Sequence, residues 1–360
     1  MGSAERVVVG MSGGVDSSVA AALLVEQGYE VVGVMLRLWA EPQEEELTSN
    51  LCCTPEAVDS ARDVAVALGI PFYLVNAEGP FRKHVVEPFI AAYGGGRTPN
   101  PCLACNRHIR FGYLLRYAQG LGAGYLATGH YARIGQGAVG DGALRLLRGV
   151  DAAKDQSYVL YMLGQDALSH LLFPLGNHTK PKVRQMARSR RLPVADREES
   201  QDLCFVGGGD YREFLRRQAP EAASPGPIVD QTGRLLGWHQ GLAFHTIGQR
   251  KGLGIAASEP LYVLRMDVRH NSLVVGPASA LGRAELTAGS VSFISDEWPS
   301  EHLVVTARIR YRADSVPAVV WPLGYGRVRV VFDRLLRDIT AGQAVVFYDG
   351  DTCLGGGIIE

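Results

Sequence analysis

Two cysteines, Cys102 and Cys105, form a CxxC in a segment rich in proline and asparagine, and a third, Cys204, lies in the apolar stretch SQDLCFV. In a reducing compartment, spaced cysteines indicate redox, metal or sulfur-transfer chemistry, because a helix N-terminus or a nearby cation lowers the pKa of a thiol and the thiolate is the reactive form. A four-ligand zinc site would need a second spaced pair, whereas Cys52 and Cys53 are adjacent. We interpret the remaining cysteines as buried structural thiols: Cys52, Cys53 and Cys353.

The stretch VVVGMSGGVDS predicts a buried parallel strand, a tight loop and the start of a helix. Gly13 and Gly14 allow backbone N–H groups to approach an anion where the helix dipole already favours negative charge. Hydroxyl donors are available from Ser12, Ser17 and Ser18. The loop at residues 10–18 therefore predicts a phosphate or pyrophosphate site.

Asp16 distinguishes this loop from the ordinary phosphate loop, in which the pattern GxxxxGK[ST] supplies a lysine. Here Val15 and Asp16 follow the glycine pair, and an acid beside bound phosphates indicates a Mg²⁺ partner. The SGGxDS pattern resembles the signature of the PP-loop ATP pyrophosphatases, which cleave ATP between its α and β phosphates and adenylate a substrate. A Gly/Ser turn without a ligand would need neither the acid nor the serines.

Length and composition narrow the class of protein further. At 360 residues, with 47% hydrophobic and 20% charged residues, the chain predicts a globular protein of two or three domains. A formal net charge of -1 means that an RNA partner would be held by local patches. The sequence has no secretory signal pattern and no apolar run of membrane-spanning length, which predicts a cytoplasmic protein without a membrane partner.

The order of the predicted elements indicates an α/β fold with three domains. Strands alternate with helices in residues 1–206, which predicts a parallel sheet. Short strands broken by Gly and Pro predict a small, mostly β central domain at 207–276, and regularly spaced apolar runs predict a C-terminal antiparallel β-barrel at 277–360. Predictions for single segments are a loop at 96–108, a helix at 155–163, a basic helix at 180–191, and strands at 125–132 and 200–206.

Six motifs occur in the same order as in the tRNA-specific 2-thiouridylase (MnmA) family: SGGVDSS, TPNPCLACN, TGHYAR, KDQSYVL, SQDLCFV and HTIGQRKGLG. The chain resembles that family from Val7 to the C-terminal barrel. The resemblance implies an enzyme that uses ATP to replace O2 of the wobble uridine by sulfur in the tRNAs for Glu, Gln and Lys. It also implies a partner protein that donates persulfide sulfur.

The resemblance also assigns roles to single residues. ATP would lie on Gly10, Met11, Ser12, Gly13, Gly14, Val15, Asp16 and Ser17, with Met35 at the adenine and Gly129 near the nucleotide. The target uridine would lie on Asn100, Pro101 and Cys102. Contacts to tRNA would come from His130, Lys154, Asp155, Gln156, Arg310, Tyr311 and Gln343. The alternatives are a satisfied strand-end histidine at 130 and a helix cap at 154–156, and the basic helix is either a phosphate patch or a solvated face.

In the implied mechanism, ATP activates uridine O2 as an adenylate, and Asp16 with Mg²⁺ assists the loss of pyrophosphate. Cys204 carries the persulfide, and Cys105 is the nucleophile that ends in a disulfide with Cys204. Many family members carry Asp where this chain has Cys102, which removes a candidate acid/base and adds a third thiol. An alternative, ranked below the persulfide relay, is a [4Fe-4S] cluster held by Cys102, Cys105 and Cys204 with one open iron.

Two other classes of protein use some of these features. PP-loop ligases and amidotransferases use the same ATP loop to make C–N bonds, but they need no CxxC with a distant partner thiol. An RNA-binding protein with a relict nucleotide site would tolerate the loss of Asp16 and of both thiols.

Overall fold

The computed structural model describes residues 4–39, 54–137, 142–198, 203–206, 210–337 and 339–360. Up to residue 206, the chain contains β1 (Arg6–Gly10), α1 (Val15–Glu26), β2 (Glu30–Arg37), α2 (Pro55–Leu68), β3 (Phe72–Asn76), α3 (Glu78–Phe81), a π-helical segment (Arg82–Val86), α4 (Glu87–Gly94), α5 (Pro101–Ala104), a second π-helical segment (Cys105–Leu114), α6 (Leu115–Gly120), β4 (Tyr125–Thr128), β5 (Ala132–Gln136), β6 (Leu144–Arg148), a 3₁₀ turn (Ser157–Val159), α7 (Gln165–Ser169), β7 (Leu171–Leu172) and α8 (Lys180–Ser189).

The middle part contains α9 (Tyr211–Gln218), β8 (Gly226–Val229), β9 (Leu235–His239), β10 (Tyr262–Asp267) and β11 (Ser272–Gly276), with 3₁₀ turns at Pro220–Ala222, Leu242–Phe244 and Ala278–Leu281. The last part contains β12 (Arg283–Phe293), β13 (Leu303–Arg308), β14 (Val316–Gly324), β15 (Arg327–Leu336), β16 (Ala344–Asp349) and β17 (Thr352–Ile359). Within the described ranges, no helix is long and apolar enough to span a membrane.

The first part is built on a parallel sheet with the strand order β3-β2-β1-β4-β7. Val7 and Val9 of β1 pack in the core beneath α1, α2 and α8, while Val8 packs in the core on the opposite face. The run of valines is uninterrupted because β1 is central and is buried on both faces. Its carboxyl end therefore releases the Gly/Ser loop at the middle of the sheet.

The middle and last parts are β-rich, which confirms the predicted fold class. The middle sheet has the order β10-β11-β8-β9. Six strands close an antiparallel barrel in the order β12-β15-β14-β13-β16-β17, with β17 paired back to β12. The hairpin β5–β6 of the first part joins this barrel through β6 and β17. One apolar core contains both Tyr161 of the first part and Tyr348 of the barrel, so these two parts pack as one body.

The loop predicted at 96–108 is wrong beyond residue 100. The helix begins at Pro101 and continues through α5, the second π-helical segment and α6 to Gly120. Asn100 Oδ1 accepts a hydrogen bond from the N–H of Cys102 (3.1 Å), and proline has the φ that a first helical residue needs. The CxxC therefore lies at the N-terminus of a helix, which we call the thiol helix (residues 101–120).

Two further segment predictions are wrong near the end of β4. The strand predicted at 125–132 ends at Thr128, and the chain enters a different sheet as β5. Of the helix predicted at 155–163 only a 3₁₀ turn forms. Asp155 binds two backbone N–H groups, one of them in the preceding loop, and this tertiary contact replaces a regular helical start.

The strand predicted at 200–206 is wrong for its described part. Residues 203–206 form a turn, and residues 200–202 lie outside the described residues. The basic helix predicted at 180–191 is confirmed as α8. Cys52 and Cys53 also lie outside the described residues.

Candidate active site

The loop after β1 is shaped by close packing and by its own hydroxyls. Gly13 has a φ of +70°, and a Cβ there would lie 2.3 Å from the carbonyl oxygen of Ala57 in α2. Only glycine satisfies both conditions. The Ser12 and Ser17 hydroxyl oxygens lie 3.2 Å apart. Because α1 already begins at Val15, Ser17 lies in the first helical turn, where N–H groups point towards an incoming anion.

A cavity of about 210 Å³, here called the loop cavity, opens beside this loop at the carboxyl ends of β1, β2 and β4. Several residues predicted to bind nucleotide line it: Gly10, Met11, Ser12, Asp16, Ser17, Met35 and Gly129. The rest of the lining is Val34, Leu36, Leu38, Arg110, Leu114, Thr128, His130 and Gln156. An apolar wall facing a few convergent polar groups is the usual composition of a small-molecule site.

Asp16 is held by groups from two distant segments. Lys180 Nζ at the start of α8 lies 2.7 Å and 2.8 Å from its carboxylate oxygens, and the Tyr131 hydroxyl donates to Oδ1 at 2.8 Å. The Lys180 side chain is only 9% exposed, whereas that of Asp16 is 34% exposed. A lysine from far along the chain therefore supplies a positive charge beside the loop, which lacks one of its own.

The segment after β4 closes the cavity on the other side. A Cβ on Gly129 would lie 2.8 Å from the backbone nitrogen of Ser17, so a larger residue would push the loop away. His130 is buried, with Nδ1 2.7 Å from Thr128 Oγ1. Burial, with a smaller contribution from the charge of Arg110, lowers the pKa of His130 to about 3. The imidazole is therefore neutral at neutral pH, and its predicted tRNA contact stays a prediction.

The thiol helix connects the cysteines with the loop cavity. Cys102 is exposed in its first turn, and Cys105 is buried one turn further on. Asn106 Nδ2 donates to the carbonyl oxygen of Val159 (2.9 Å), which fixes the rotation of the helix. Arg110 of the same helix lines the cavity. A substrate reaching from the cavity to the cysteines would therefore follow one rigid element.

Cys204 lies beside the same apolar core that contains Cys105. Its neighbour Phe205 is buried and packs edge to face on Phe81, which anchors the turn at 203–206. Cys353 is fully buried, and burial raises the pKa of its thiol to about 12. Its environment is that of an inert structural thiol, as predicted.

The sequence predicts Mg²⁺ at this site and, as an alternative for the cysteines, an iron–sulfur cluster. Mg²⁺ is commonly bound by one or two carboxylates together with phosphate oxygens, and Asp16 at the loop cavity offers such a carboxylate. In an iron–sulfur cluster each thiolate binds a different iron, so the thiols need not meet at one ion. In the part of the chain that the structure describes, no three His, Cys, Asp or Glu side chains converge on a point that a metal ion would occupy. That finding concerns a site for a single ion, and the cluster alternative stays a prediction.

The barrel rim meets the start of the thiol helix. Gln343 Nε2 donates to the carbonyl oxygen of Thr98 (2.9 Å), and the Thr98 N–H donates to the carbonyl oxygen of Ala341 (2.9 Å). Burial raises the pKa of Tyr311, and the charges of Asp155 and Cys102 act in the same direction. The residues predicted to touch the target base thus lie against the barrel.

Other predicted tRNA residues take part in contacts within the protein. Asp155 is buried against Arg308 (3.2 Å), and Arg310 donates to Thr340 Oγ1 (3.0 Å). The Gln156 side-chain oxygen accepts the N–H of Tyr131 (3.0 Å). The N–H of Lys154, the residue before Asp155, donates to the carbonyl oxygen of Asp151. These contacts link residues 155 and 156 of the first part to the barrel and to Tyr131 beside the loop cavity.

Sequence reasoning missed three side chains of the site: Arg110, Tyr131 and Lys180. Tyr131 stands inside the TGHYAR motif, but nothing in the motif indicates that it reaches Asp16. Lys180 was included in a basic patch. The structure turns that lysine inwards and pairs two other cations of the basic segment within the protein: Arg188 of α8 with Asp196, and Arg190, just after α8, with Glu26.

Comparison with known proteins agrees with this architecture. Residues 5–208 match the family model described as the tRNA methyl transferase HUP domain, residues 212–277 the tRNA methyl transferase PRC-barrel domain, and residues 283–359 the aminomethyltransferase beta-barrel domain. The parallel sheet, its Gly/Ser loop and the barrel thus define a three-part α/β protein with a cavity beside the loop of its first part.

Curated relatives extend over nearly the whole chain. The chain is 53% identical to the tRNA-specific 2-thiouridylase MnmA of Roseiflexus sp. (strain RS-1), covering 98% of this chain and 99% of that protein. It is 52% identical to that of Chloroflexus aurantiacus, covering 98% of each chain, and 46% identical to that of Clostridium botulinum, covering 99% of this chain and 98% of the relative. The chain belongs to the tRNA-specific 2-thiouridylase family.

Proposed function

We propose that this protein thiolates tRNA with the help of ATP, at C2 of the wobble uridine in the tRNAs for Glu, Gln and Lys. The observation that carries the proposal is the thiol helix, which carries Cys102 and Cys105 in its first turns and contributes Arg110, near its middle, to the lining of the loop cavity. A helix shared by the cysteines and the cavity supports a reaction in which nucleotide activation and sulfur delivery occur side by side. The family relatives, which are named tRNA-specific 2-thiouridylases, support the same assignment.

ATP occupies the loop cavity in this proposal. Its phosphates lie on the backbone N–H groups of residues 10–17 at the start of α1, with Met35 beside the adenine. When bound with ATP, Mg²⁺ neutralises the charge that develops on the leaving pyrophosphate. Asp16 is the carboxylate that would hold the ion, and Lys180 is the cation that balances Asp16 when the ion is absent.

Sulfur transfer follows adenylation of uridine O2. The terminal sulfur of a Cys204 persulfide attacks C2, and the Cys105 thiolate then attacks Cys204 Sγ. The S–S bond of the persulfide breaks, its electrons stay on the sulfur bound to C2, and AMP leaves with the former uridine oxygen. The products are 2-thiouridine, AMP and a Cys105–Cys204 disulfide. A persulfide-donor protein reloads the enzyme after the disulfide has been reduced.

In this proposal the tRNA lies across three domains. These domains comprise residues 1–206, 207–276 and 277–360. The flipped uridine rests on residues 100–102, because C2 is not reachable in a stacked anticodon. Residues 154–156, Arg310, Tyr311 and Gln343 hold the neighbouring nucleotides. The contact between Gln343 and Thr98 supports this arrangement, since it joins the barrel rim to the base site.

The test measures two steps separately in the C105S and C204S variants, with C353A as the matched control. We expect both variants to lose 2-thiouridine formation on unmodified tRNA, detected by mass spectrometry of digested tRNA, while pyrophosphate release persists. C353A should keep both steps, because Cys353 lies in the core away from the cavity lining. Undiminished sulfur transfer by C105S would contradict the mechanism. Wild-type protein that releases pyrophosphate but forms a C–N bond instead of thiouridine would favour the ligase class.

A further inference from the structure

The CxxC at the start of the thiol helix differs in exposure between its two cysteines. Cys102 is exposed, and Cys105 is 8% exposed and belongs to a large apolar core. Three residues apart on a helix, the two Cα atoms lie about 5 Å from each other. Disulfides join Cα atoms 4.4–6.8 Å apart. The two thiols are therefore on one face of the helix and within bonding range after a small adjustment.

The position of Cys102 also favours its thiolate. Asn100 caps the helix by accepting the Cys102 N–H, and the positive end of a helix that runs to Gly120 lies beneath the thiol. A CxxC at a helix N-terminus is a common setting for thiol–disulfide exchange, because the N-terminus stabilises the thiolate of the first cysteine. Cys102 is thus an exposed thiol suited to attack a neighbouring disulfide.

The disulfide left by sulfur transfer lies in a less accessible place. Cys105 is buried and Cys204 is half-buried against the same core, beside the anchored Phe205. A bulky protein reductant must approach the sulfur that it attacks in line with the S–S bond. A disulfide between these two residues offers little room for that approach, whereas one that includes Cys102 reaches the surface.

We infer that Cys102 is the resolving thiol of this enzyme, passing the oxidation from the Cys105–Cys204 pair to a surface Cys102–Cys105 disulfide; this inference rests on the proposed function. The Cys102 thiolate attacks Cys105 Sγ, the Cys105–Cys204 bond breaks, and Cys204 leaves as a thiolate ready for the next persulfide. One disulfide replaces another, so this step needs no oxidant. A dithiol protein reductant then supplies two electrons and returns Cys102 and Cys105 to thiols.

This role gives the third thiol a function that does not require a cluster. It also distinguishes this chain from family members that carry Asp in place of Cys102. Such a member has no thiol at that site to bring the oxidation to the surface.

The first experiment maps disulfides after one turnover. Persulfide-loaded enzyme is mixed with ATP and tRNA, quenched with N-ethylmaleimide, digested and analysed by mass spectrometry. We expect a Cys102–Cys105 disulfide and alkylated Cys204 in the wild type, and a Cys105–Cys204 disulfide in C102S. The inference would be overturned if Cys102 is alkylated and the Cys105–Cys204 disulfide persists in the wild type. It would also be overturned if active protein purified without oxygen contains about stoichiometric iron and sulfide.

The second experiment compares reductants within each variant, so that any effect of the substitution on chemistry cancels. The ratio of multiple-turnover rates with a thioredoxin-type protein and with dithiothreitol is measured for the wild type, C102S and C102D. We expect the ratio to fall at least about tenfold in both variants, because the small reductant still reaches the half-buried pair. An unchanged ratio in both variants would overturn the inference.

A third measurement separates this inference from the proposed function. The enzyme alone, without ATP or tRNA, is equilibrated in glutathione buffers, and the fraction of each disulfide is measured. Formation of Cys102–Cys105 with a defined midpoint supports the dithiol even if no thiouridine is made in any assay. The opposite result is efficient thiouridine formation while Cys102 forms no disulfide at any glutathione redox potential. That result would refute the resolving role of Cys102 and leave the proposed function intact.

Discussion

Lys180 Nζ lies 2.7 Å and 2.8 Å from the two carboxylate oxygens of Asp16, although 164 residues separate them in the chain. The phosphate loop of other nucleotide-binding proteins carries its lysine within the loop. Here an acid stands in the loop and the lysine arrives at the first residue of α8. The pair therefore places one negative and one positive group beside the Gly/Ser loop, where the proposed function puts Mg²⁺ and the phosphates.

Substitution of Lys180 by Met should weaken ATP binding at least about tenfold, because a cation beside the phosphates is lost and Asp16 keeps an uncompensated charge. Isothermal titration with ATP and with AMP measures the effect. AMP, which lacks the β and γ phosphates, should be affected much less. The control is K182M, since Lys182 of the same helix points to the exposed Gln185. Equal ATP affinities of K180M and K182M would contradict this role.

Substitution of Gly129 by Ala should disrupt the cavity rather than the fold. The added methyl group would meet the Ser17 backbone nitrogen at 2.8 Å and Asp16 Cβ at 3.0 Å, so the start of α1 must shift. We expect ATP binding to be lost and the free energy of unfolding to fall by about 1–3 kcal/mol. G120A is the control, because a Cβ on that helical glycine meets no heavy atom within 4 Å. Normal nucleotide affinity in G129A would show that the contact is relieved without consequence.

His130 should make the stability of the protein depend on pH. Burial lowers its pKa to about 3, whereas an unfolded histidine has a pKa of about 6.5. Between these values the unfolded chain binds a proton that the folded chain does not, so stability rises with pH over this window. The slope contributed is at most about 1.4 kcal/mol per pH unit. His245, whose pKa burial lowers to about 4, contributes in the same direction.

The measurement is urea denaturation at several pH values between 4.5 and 7.5. H130Q should flatten the dependence and retain the slope that His245 contributes. H302Q changes an exposed histidine of the barrel and should leave the dependence unchanged. A slope in H130Q equal to that of the wild type would mean that His130 is protonated or exposed in the folded protein.

The buried pair of Arg308 and Asp155 should contribute strongly to the junction between the first part and the barrel. The two side chains are 14% and 2% exposed and 3.2 Å apart. R308M leaves Asp155 buried without this partner, and we expect a loss of about 3 kcal/mol in the free energy of unfolding. D155N/R308M should recover part of the loss, because the stranded charge is removed. R329M, which breaks an exposed pair with Glu285, should cost below about 1 kcal/mol.

Local signals predicted the elements that depend on local chemistry. The buried valines of β1 and the regular apolar runs of the barrel appear as predicted, because their structure follows from neighbours in the chain. The first turns of the thiol helix, residues 101–108, are predicted as a loop although Asn100 and Pro101 are good start signals. The π-helical turns from Cys105 onward have no comparable pattern in the sequence.

The predictions for residues 155–163 and 203–206 are wrong for another reason. Asp155 binds backbone groups and an arginine that come from outside its own segment, and Phe205 is fixed by aromatic rings of other helices. Such contacts are absent from any local window of sequence. They determined where Asp155 and Cys204 lie.

By itself, the sequence determined the Gly/Ser loop after a buried strand, the acid within it, and the presence of three spaced cysteines. These are properties of residue type and spacing, and they suffice to indicate the chemistry. Only the tertiary structure decided that Lys180 and Tyr131 hold Asp16, that Arg110 joins the cavity to the thiols, and that Cys102 is exposed while Cys105 is buried. The physical reason is that charge pairing and burial depend on distances between segments far apart in the chain, which packing of the whole core sets.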